Sequence, residues 1–193
     1  MPSHPLGPTL ETERLILRPP LREDFEGVAE LLDDEEAARH IGGRMPRAAA
    51  WRNFLQMPGA WAMQGYAMFS VIDKSSGRWI GRAGPWQPEG WPGTEVGWSF
   101  LRSAWGQGYA REAAIASIDW AFDHLGWTEV IHSIAPANHA SQALARRLGS
   151  INRGPGRLPP PHEEVQVDIW GQSREEWFAR RSTLSSGDAP RRG

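Results

Sequence analysis

The chain has 193 residues, of which 40% are hydrophobic, a formal net charge of −2 and no cysteine. That length suits one packed domain better than two, and the near-neutral charge sets up no field that would favour nucleic acid or an anionic membrane. Without cysteine there is no disulfide, thiol nucleophile or thiolate metal site, and without an apolar span or leader-like opening segment the expectation is a cytoplasmic protein.

Residues 1–8 and 185–193, rich in Pro, Gly, Ser and charge, are expected to be flexible tails around a single domain over 9–184. Arg14–Arg18 alternates as a short strand and Pro19-Pro20 stop it. Phe25, Val28, Leu31 and Leu32 fall at helical spacing within Glu23–Leu32, with Glu23 and Asp24 suited to the first turn. A second helix is expected over Ala48–Met57, ended by Pro58-Gly59. Tyr66–Ile72 and Trp79–Ala83 flank a Ser75-Ser76-Gly77 turn as a hairpin, and Thr94–Leu101 is a third strand-like run. A long helix over Tyr109–Leu125 ends at Gly126. Then come a strand at Glu129–Ile134, a helix at Ala140–Leu148 closed by Gly149, a Gly/Pro-rich loop at Gly154–His162 and a strand at Val165–Trp170. Ser173 and Glu176 have the capping-box spacing for a last helix. The order predicts a mixed α/β domain.

The chemistry-bearing stretch is Phe100 to Ala113, where a strand ends, a turn with Gly106 and Gly108 follows, and the long helix begins. The first N–H groups of a helix lack internal partners and lie at its positive end. Glycines let main-chain amides approach an anion without a Cβ clash. The natural ligand of such a turn is a phosphate or diphosphate, although a plain strand-to-helix turn has the same pattern. A dinucleotide fingerprint needs Gly or Ala where Arg111 stands, and a P-loop needs a Gly-Lys-Ser/Thr run that is absent.

Trp105-Gly-Gln-Gly-Tyr-Ala110 with Glu112-Ala113 resembles the acetyl-CoA diphosphate loop of the GNAT acetyltransferases, in the form found in the ribosomal-protein alanine N-acetyltransferase (RimJ/RimL-like) branch. Trp105 holds the Gln/Arg place of the Gln/Arg-x-x-Gly-x-Gly/Ala pattern, and Gly108 and Ala110 hold the small places. The opening strand Leu10–Pro19, the central strand Glu95–Trp98 and the segments Asn138–Ser141 and Arg147–Gly149 resemble the same branch, so the likeness runs from about Leu10 to Trp177.

The resemblance implies a GNAT fold, a mostly antiparallel mixed sheet of six to seven strands flanked by four to five helices, and an acetyl-CoA-dependent N-acetyltransferase that modifies a primary amine, either a protein N-terminus or a small molecule. Alternatives are a CoA-binding module without catalysis and a transferase for another acyl-CoA. It implies cofactor contacts from the main chain of Gly106, Gln107, Gly108, Tyr109 and Ala110, with Arg111 adding a charge-assisted phosphate contact. It implies further contacts from Trp98, Ser99 and Phe100 along a strand that splays from its neighbour, with Gly97 easing the bend, and from Asn138 to the pantetheine arm. Asn138 also suits a helix N-cap.

Glu95 is the candidate general base, since the amine arrives as ammonium and must lose a proton. His132 is a rival base. Ser141 is the candidate acid toward the departing thiolate; with only Tyr66 and Tyr109 in the chain, the tyrosine that many relatives use there is missing. Glu163 and Glu164 can reach an acceptor or lie on the loop surface. Trp86 and Trp91 can line an acceptor site or a subunit contact, which leaves a homodimer open. No metal spacing is evident, and neither nucleic acid nor membrane is an expected partner.

Overall fold

The computed structural model describes residues 5–185. Residues 1–4 and 186–193 of the expected tails lie outside the described residues, while Leu6 packs on the core.

The eight strands are β1 (Leu10–Glu11), β2 (Leu15–Arg18), β3 (Phe69–Asp73), β4 (Trp79–Trp86), β5 (Glu95–Phe100), β6 (Glu129–Ile134), β7 (Ile151–Gly156) and β8 (Val167–Ser173). They form one sheet in the order β1-β2-β3-β4-β5-β6-β8-β7. Every pairing is antiparallel except β5 with β6. The α-helices are α1 (Phe25–Asp33), α2 (Glu35–Ala38), α3 (Arg47–Gln64), α4 (Tyr109–His124), α5 (His139–Leu148) and α6 (Arg174–Ser185).

The helices divide between the two faces. α4, α5 and α6 bury Ala114, Ile118, Leu144, Leu148 and Trp177 against Val96 and Val130 of β5 and β6. On the opposite face, α1 and the first half of α3 bury Phe25, Leu31 and Phe54 against Ile72 and Trp79 of β3 and β4. Ser173 and Glu176 cap α6 reciprocally, each main-chain N–H donating to the other's side chain at 2.8 and 3.1 Å.

Eight strands and six helices exceed the predicted six to seven and four to five. The additions are short or exposed. β1 has two residues and α2 four, the latter capped by Asp34, which accepts from the Glu36 and Ala37 N–H groups. β7 crosses part of the expected Gly/Pro loop. It is an edge strand, paired only with β8 and bulged between Asn152 and Pro155, where a residue without an N–H costs the ladder little.

Helix α3 does not stop at Pro58-Gly59 but runs on to Gln64. A proline inside a helix costs about 3 kcal/mol. Continuation brings Trp61 to 1% exposure against Phe69 and Trp120, and full burial of so large a ring is worth a comparable amount. Gly65, in the left-handed region at φ 80°, caps the end with its N–H on the Trp61 carbonyl.

Candidate active site

The turn before α4 is exposed from Trp105 to Gly108. Gly106 and Gly108 have φ of 74° and 81°, a backbone that side chains with Cβ avoid. Gly108 is the N-cap of α4 and supplies no capping side chain, so the leading amides of the helix keep their donors for a ligand.

The turn is braced from behind. Arg14 donates to the Gln107 carbonyl at 2.9 Å and to Glu112 at 2.7 Å, and its guanidinium stacks 4.7 Å from the Tyr109 ring. Glu112 also accepts from the Arg14 N–H at 2.8 Å and from the Thr12 hydroxyl. Burial pushes the Glu112 carboxyl up, but these donors together hold it below its usual value. Trp105 donates its indole N–H to the Phe100 carbonyl at 3.0 Å. The brace is invisible in the sequence, because Thr12 and Arg14 lie about a hundred residues from Glu112.

Strands β5 and β6 part where a slot is needed. Glu95 pairs with Ile131, and the Ile131 N–H reaches the Thr94 carbonyl at 3.0 Å. The next β6-side acceptor on β5, the Val96 carbonyl, is taken by the His132 side chain at 2.6 Å. The Leu101 N–H bonds the Ile80 carbonyl on the β4 side. By strand alternation the main-chain groups of Trp98 and Phe100 therefore face the gap. Those of Ser99 face β4, and its hydroxyl accepts from Arg82 at 3.1 Å. Ser99, one of the expected cofactor contacts, therefore stands one residue out of phase with the opening.

Asn138 caps α5, its side-chain oxygen accepting the Ser141 N–H at 3.1 Å. The Ser141 hydroxyl accepts the Trp98 indole N–H at 3.2 Å, which sets it over the β5–β6 gap on the α4–α5 face. Arg111 departs from the expected phosphate contact. It turns to the last turn of α6 and donates to the Leu184 carbonyl at 2.6 Å, a favourable place for a cation at a helix C-terminus.

Glu95 lies on the opposite face of β5 from Trp98, 7% exposed. Burial raises its carboxyl to about 7, against the pull of hydrogen bonding from Trp91 and Ser133. The Trp91 indole donates to Oε2 at 2.6 Å, and Trp86 stands edge-on to Trp91 with ring centres 6.5 Å apart. A Cβ on Gly97 would come within 2.5 Å of the Met68 methyl and 3.5 Å of a Glu95 oxygen. The glycine thus gives Glu95 and Met68 their room rather than easing a bend.

His132 is not a free base. Its Nδ1–H donates to Val96, its Nε2 accepts from the Ser150 hydroxyl at 3.0 Å, and Gln172 donates to that same hydroxyl at 3.0 Å. Buried and neutral, its pKa is lowered to about 4 by loss of solvent, against the Val96 bond. Ser150 thus belongs to the network that fixes His132. Glu163 and Glu164 are exposed on the loop before β8.

The geometry has counterparts among known proteins. Residues 14–151 match the family profile of the acetyltransferase (GNAT) domain. An uncharacterised N-acetyltransferase, p20, of Bacillus licheniformis is 30% identical over 149 residues, 76% of this chain and 84% of that protein. Protein YkkB of Bacillus subtilis strain 168 is 36% identical over 87 residues, 44% of this chain and about half (51%) of that protein. An acetyltransferase structure from Agrobacterium tumefaciens strain C58 superposes with a TM-score of 0.75 at 29% identity, covering 86% of this chain and 95% of its own. The family profile, the sequence identity to p20 and the superposed fold agree, and the chain belongs to the GNAT acetyltransferase family.

Proposed function

We propose that the protein is an acetyl-CoA-dependent N-acetyltransferase that moves an acetyl group to a primary amine by direct attack in a ternary complex. The observation that carries this reading is the β5–β6 opening, with an uncapped helix N-terminus on one face and a buried, near-neutral carboxylate on the other. The amides from Gly106 to Ala110 take the diphosphate of the cofactor. The gap-facing Trp98 and Phe100 main chain takes the pantetheine and acetyl end, and the Trp98 N–H polarises the thioester carbonyl. The amine enters from the Glu95 face, gives up a proton to Glu95 directly or through a water, and attacks the carbonyl carbon. When the C–S bond breaks, the Ser141 hydroxyl passes a proton to the thiolate and is restored from solvent, which takes up the second proton that the nitrogen releases as the amide forms.

The test is acetyl-CoA turnover across short peptides and small amines, followed against pH. With Glu95 as base, kcat/KM rises through about pH 7 and then levels. Glu95→Gln removes that limb and lowers the plateau roughly 10²-fold or more. Full activity of Glu95→Gln at every pH would disprove the base assignment. Acetyl-CoA binding without transfer to any amine would overturn the enzymatic reading.

A further inference from the structure

One row of residues crosses four strands on the Glu95 face. Arg18 pairs with Ser70, Ser70 with Arg82, and Arg82 with Ser99. The two arginines in this row are treated differently. Arg18 is neutralised by the buried Asp24, which it grips through both oxygens at 2.7 and 2.8 Å, and Asp24 also accepts from Ser70 and from the Leu21 N–H. Arg82 has only neutral partners. Its Nε donates to the Ser99 hydroxyl at 3.1 Å and its Nη1 to the Asn53 side-chain oxygen of α3 at 3.3 Å. Among the described residues it forms no ion pair, and its second terminal nitrogen has no partner. Burial without a counter-anion lowers its pKa to about 10. Half-buried cations held this way are costly unless an anion completes them.

The same sheet face continues along β4 and β5 from Arg82 toward Glu95. The next facing pair is Gly84 with Gly97, and the one beyond is Trp86 with Glu95. Neither glycine contributes a side chain there: the Met68 methyl lies over Gly97 and the Phe69 ring beside Gly84. Arg82 thus stands at one end and Glu95 at the other, their strand positions four residue steps, or roughly 13 Å, apart before either side chain reaches inward. The β5–β6 gap at Trp98 opens between the two ends.

We infer that the amine acceptor carries a carboxylate, which docks on Arg82 while its amine lies toward Glu95; the substrate class is a small amino carboxylic acid. This rests on the transferase reading above and adds the acceptor's chemistry to it. The guanidinium presents its unused N–H groups as a planar fork, which suits a carboxylate. Ser99 and Asn53 hold the fork in place, so Ser99 serves the acceptor side rather than the cofactor.

The probes are alanine, phenylalanine and 4-aminobutyrate, each beside its carboxamide and its decarboxylated amine. Every compound is measured by acetyl-CoA turnover and by equilibrium binding to the CoA-loaded protein. The expected result is that at least one acid exceeds its amide and amine counterparts at least 10-fold in both readouts. Arg82→Gln then raises KM for that acid at least 10-fold with kcat little changed, leaves the neutral amines and acetyl-CoA binding as they were, and Arg82→Lys restores part of the loss. Thermal melting and acetyl-CoA affinity identify any variant that fails to fold, and the wild-type comparison of acid with amide stands regardless. Equal binding of acid and amide across the panel overturns the inference, even if transfer to neutral amines is brisk. Acid-selective binding without any transfer supports it while sinking the transferase reading.

Discussion

Ser141 and Trp98 meet across the slot in a way that decides what the hydroxyl can do. The indole N–H occupies a lone pair on Ser141 Oγ, so the hydroxyl proton is left to point elsewhere. Trp98 in turn packs against the His132 ring at 4.8 Å, and His132 is fixed by Val96 and Ser150. Ser141→Ala is expected to lower kcat by about 10²-fold, the low end for a single proton donor, with the acetyl-CoA KM little changed. Steady-state kinetics separates the two, and an unchanged kcat would remove Ser141 from the chemistry. Glu95 and Ser141 were legible as candidates because they sit in segments that resemble the family. Arg82 was not, since a lone arginine in an alternating strand reads as solvent-facing and only the long-range approach of Asn53 on α3 covers it. Ser99 and Arg111 have partners that the sequence does not reveal: strand phase turns the first toward β4, and the second donates to the C-terminal turn of α6.

At the scale of elements, the glycine turn depends on a clamp between distant parts of the chain. Glu112, 16% exposed, ties the β1–β2 connection to the first turn of α4 through Thr12 and Arg14. Glu112→Ala leaves Arg14 and the turn without their shared partner. It is expected to cost about 1–3 kcal/mol and to raise the acetyl-CoA KM several-fold, read by thermal melting and by kinetics. Because the folded-state pKa of Glu112 is depressed, its contribution is present above the unfolded value of 4.5 and is lost as pH falls through the folded one. The loss from Glu112→Ala should therefore shrink in acid.

Element boundaries followed the strength of the local signals. The long periodic α4 and the capped α5 and α6 were legible in advance. The true end of α3 was not, because Trp61 finds its partners only through the fold, and β7 was not, because an exposed edge strand has no apolar alternation to reveal it.

The whole molecule carries two buried groups that pull its stability in opposite directions with pH. Glu95, raised from 4.5 to about 7, keeps a proton that the unfolded chain has released, so it lowers stability as pH rises through that window. His132, lowered from 6.5 to about 4, stays neutral where the unfolded chain takes a proton, so it lowers stability as pH falls. Between about pH 4.5 and 6.5 the two tilts, each up to about 1.4 kcal/mol per pH unit, oppose one another. Wild-type melting temperature should vary little over that range. Glu95→Gln should melt higher than wild type at pH 8 and fall more steeply below pH 6.5, where His132 acts unopposed. A variant curve parallel to wild type would refute this pairing.

Division of the molecule into a cofactor face bearing α4 and α5 and an acceptor face bearing Glu95 and Arg82 is the claim on which the chemistry depends. A crystal structure with coenzyme A bound tests it most directly. The diphosphate should lie on the amides of residues 106–110, with the pantetheine arm entering the β5–β6 gap and its thiol beside Ser141. A cofactor seated anywhere else, or a glycine turn whose N–H groups point away from it, would contradict the proposed mechanism.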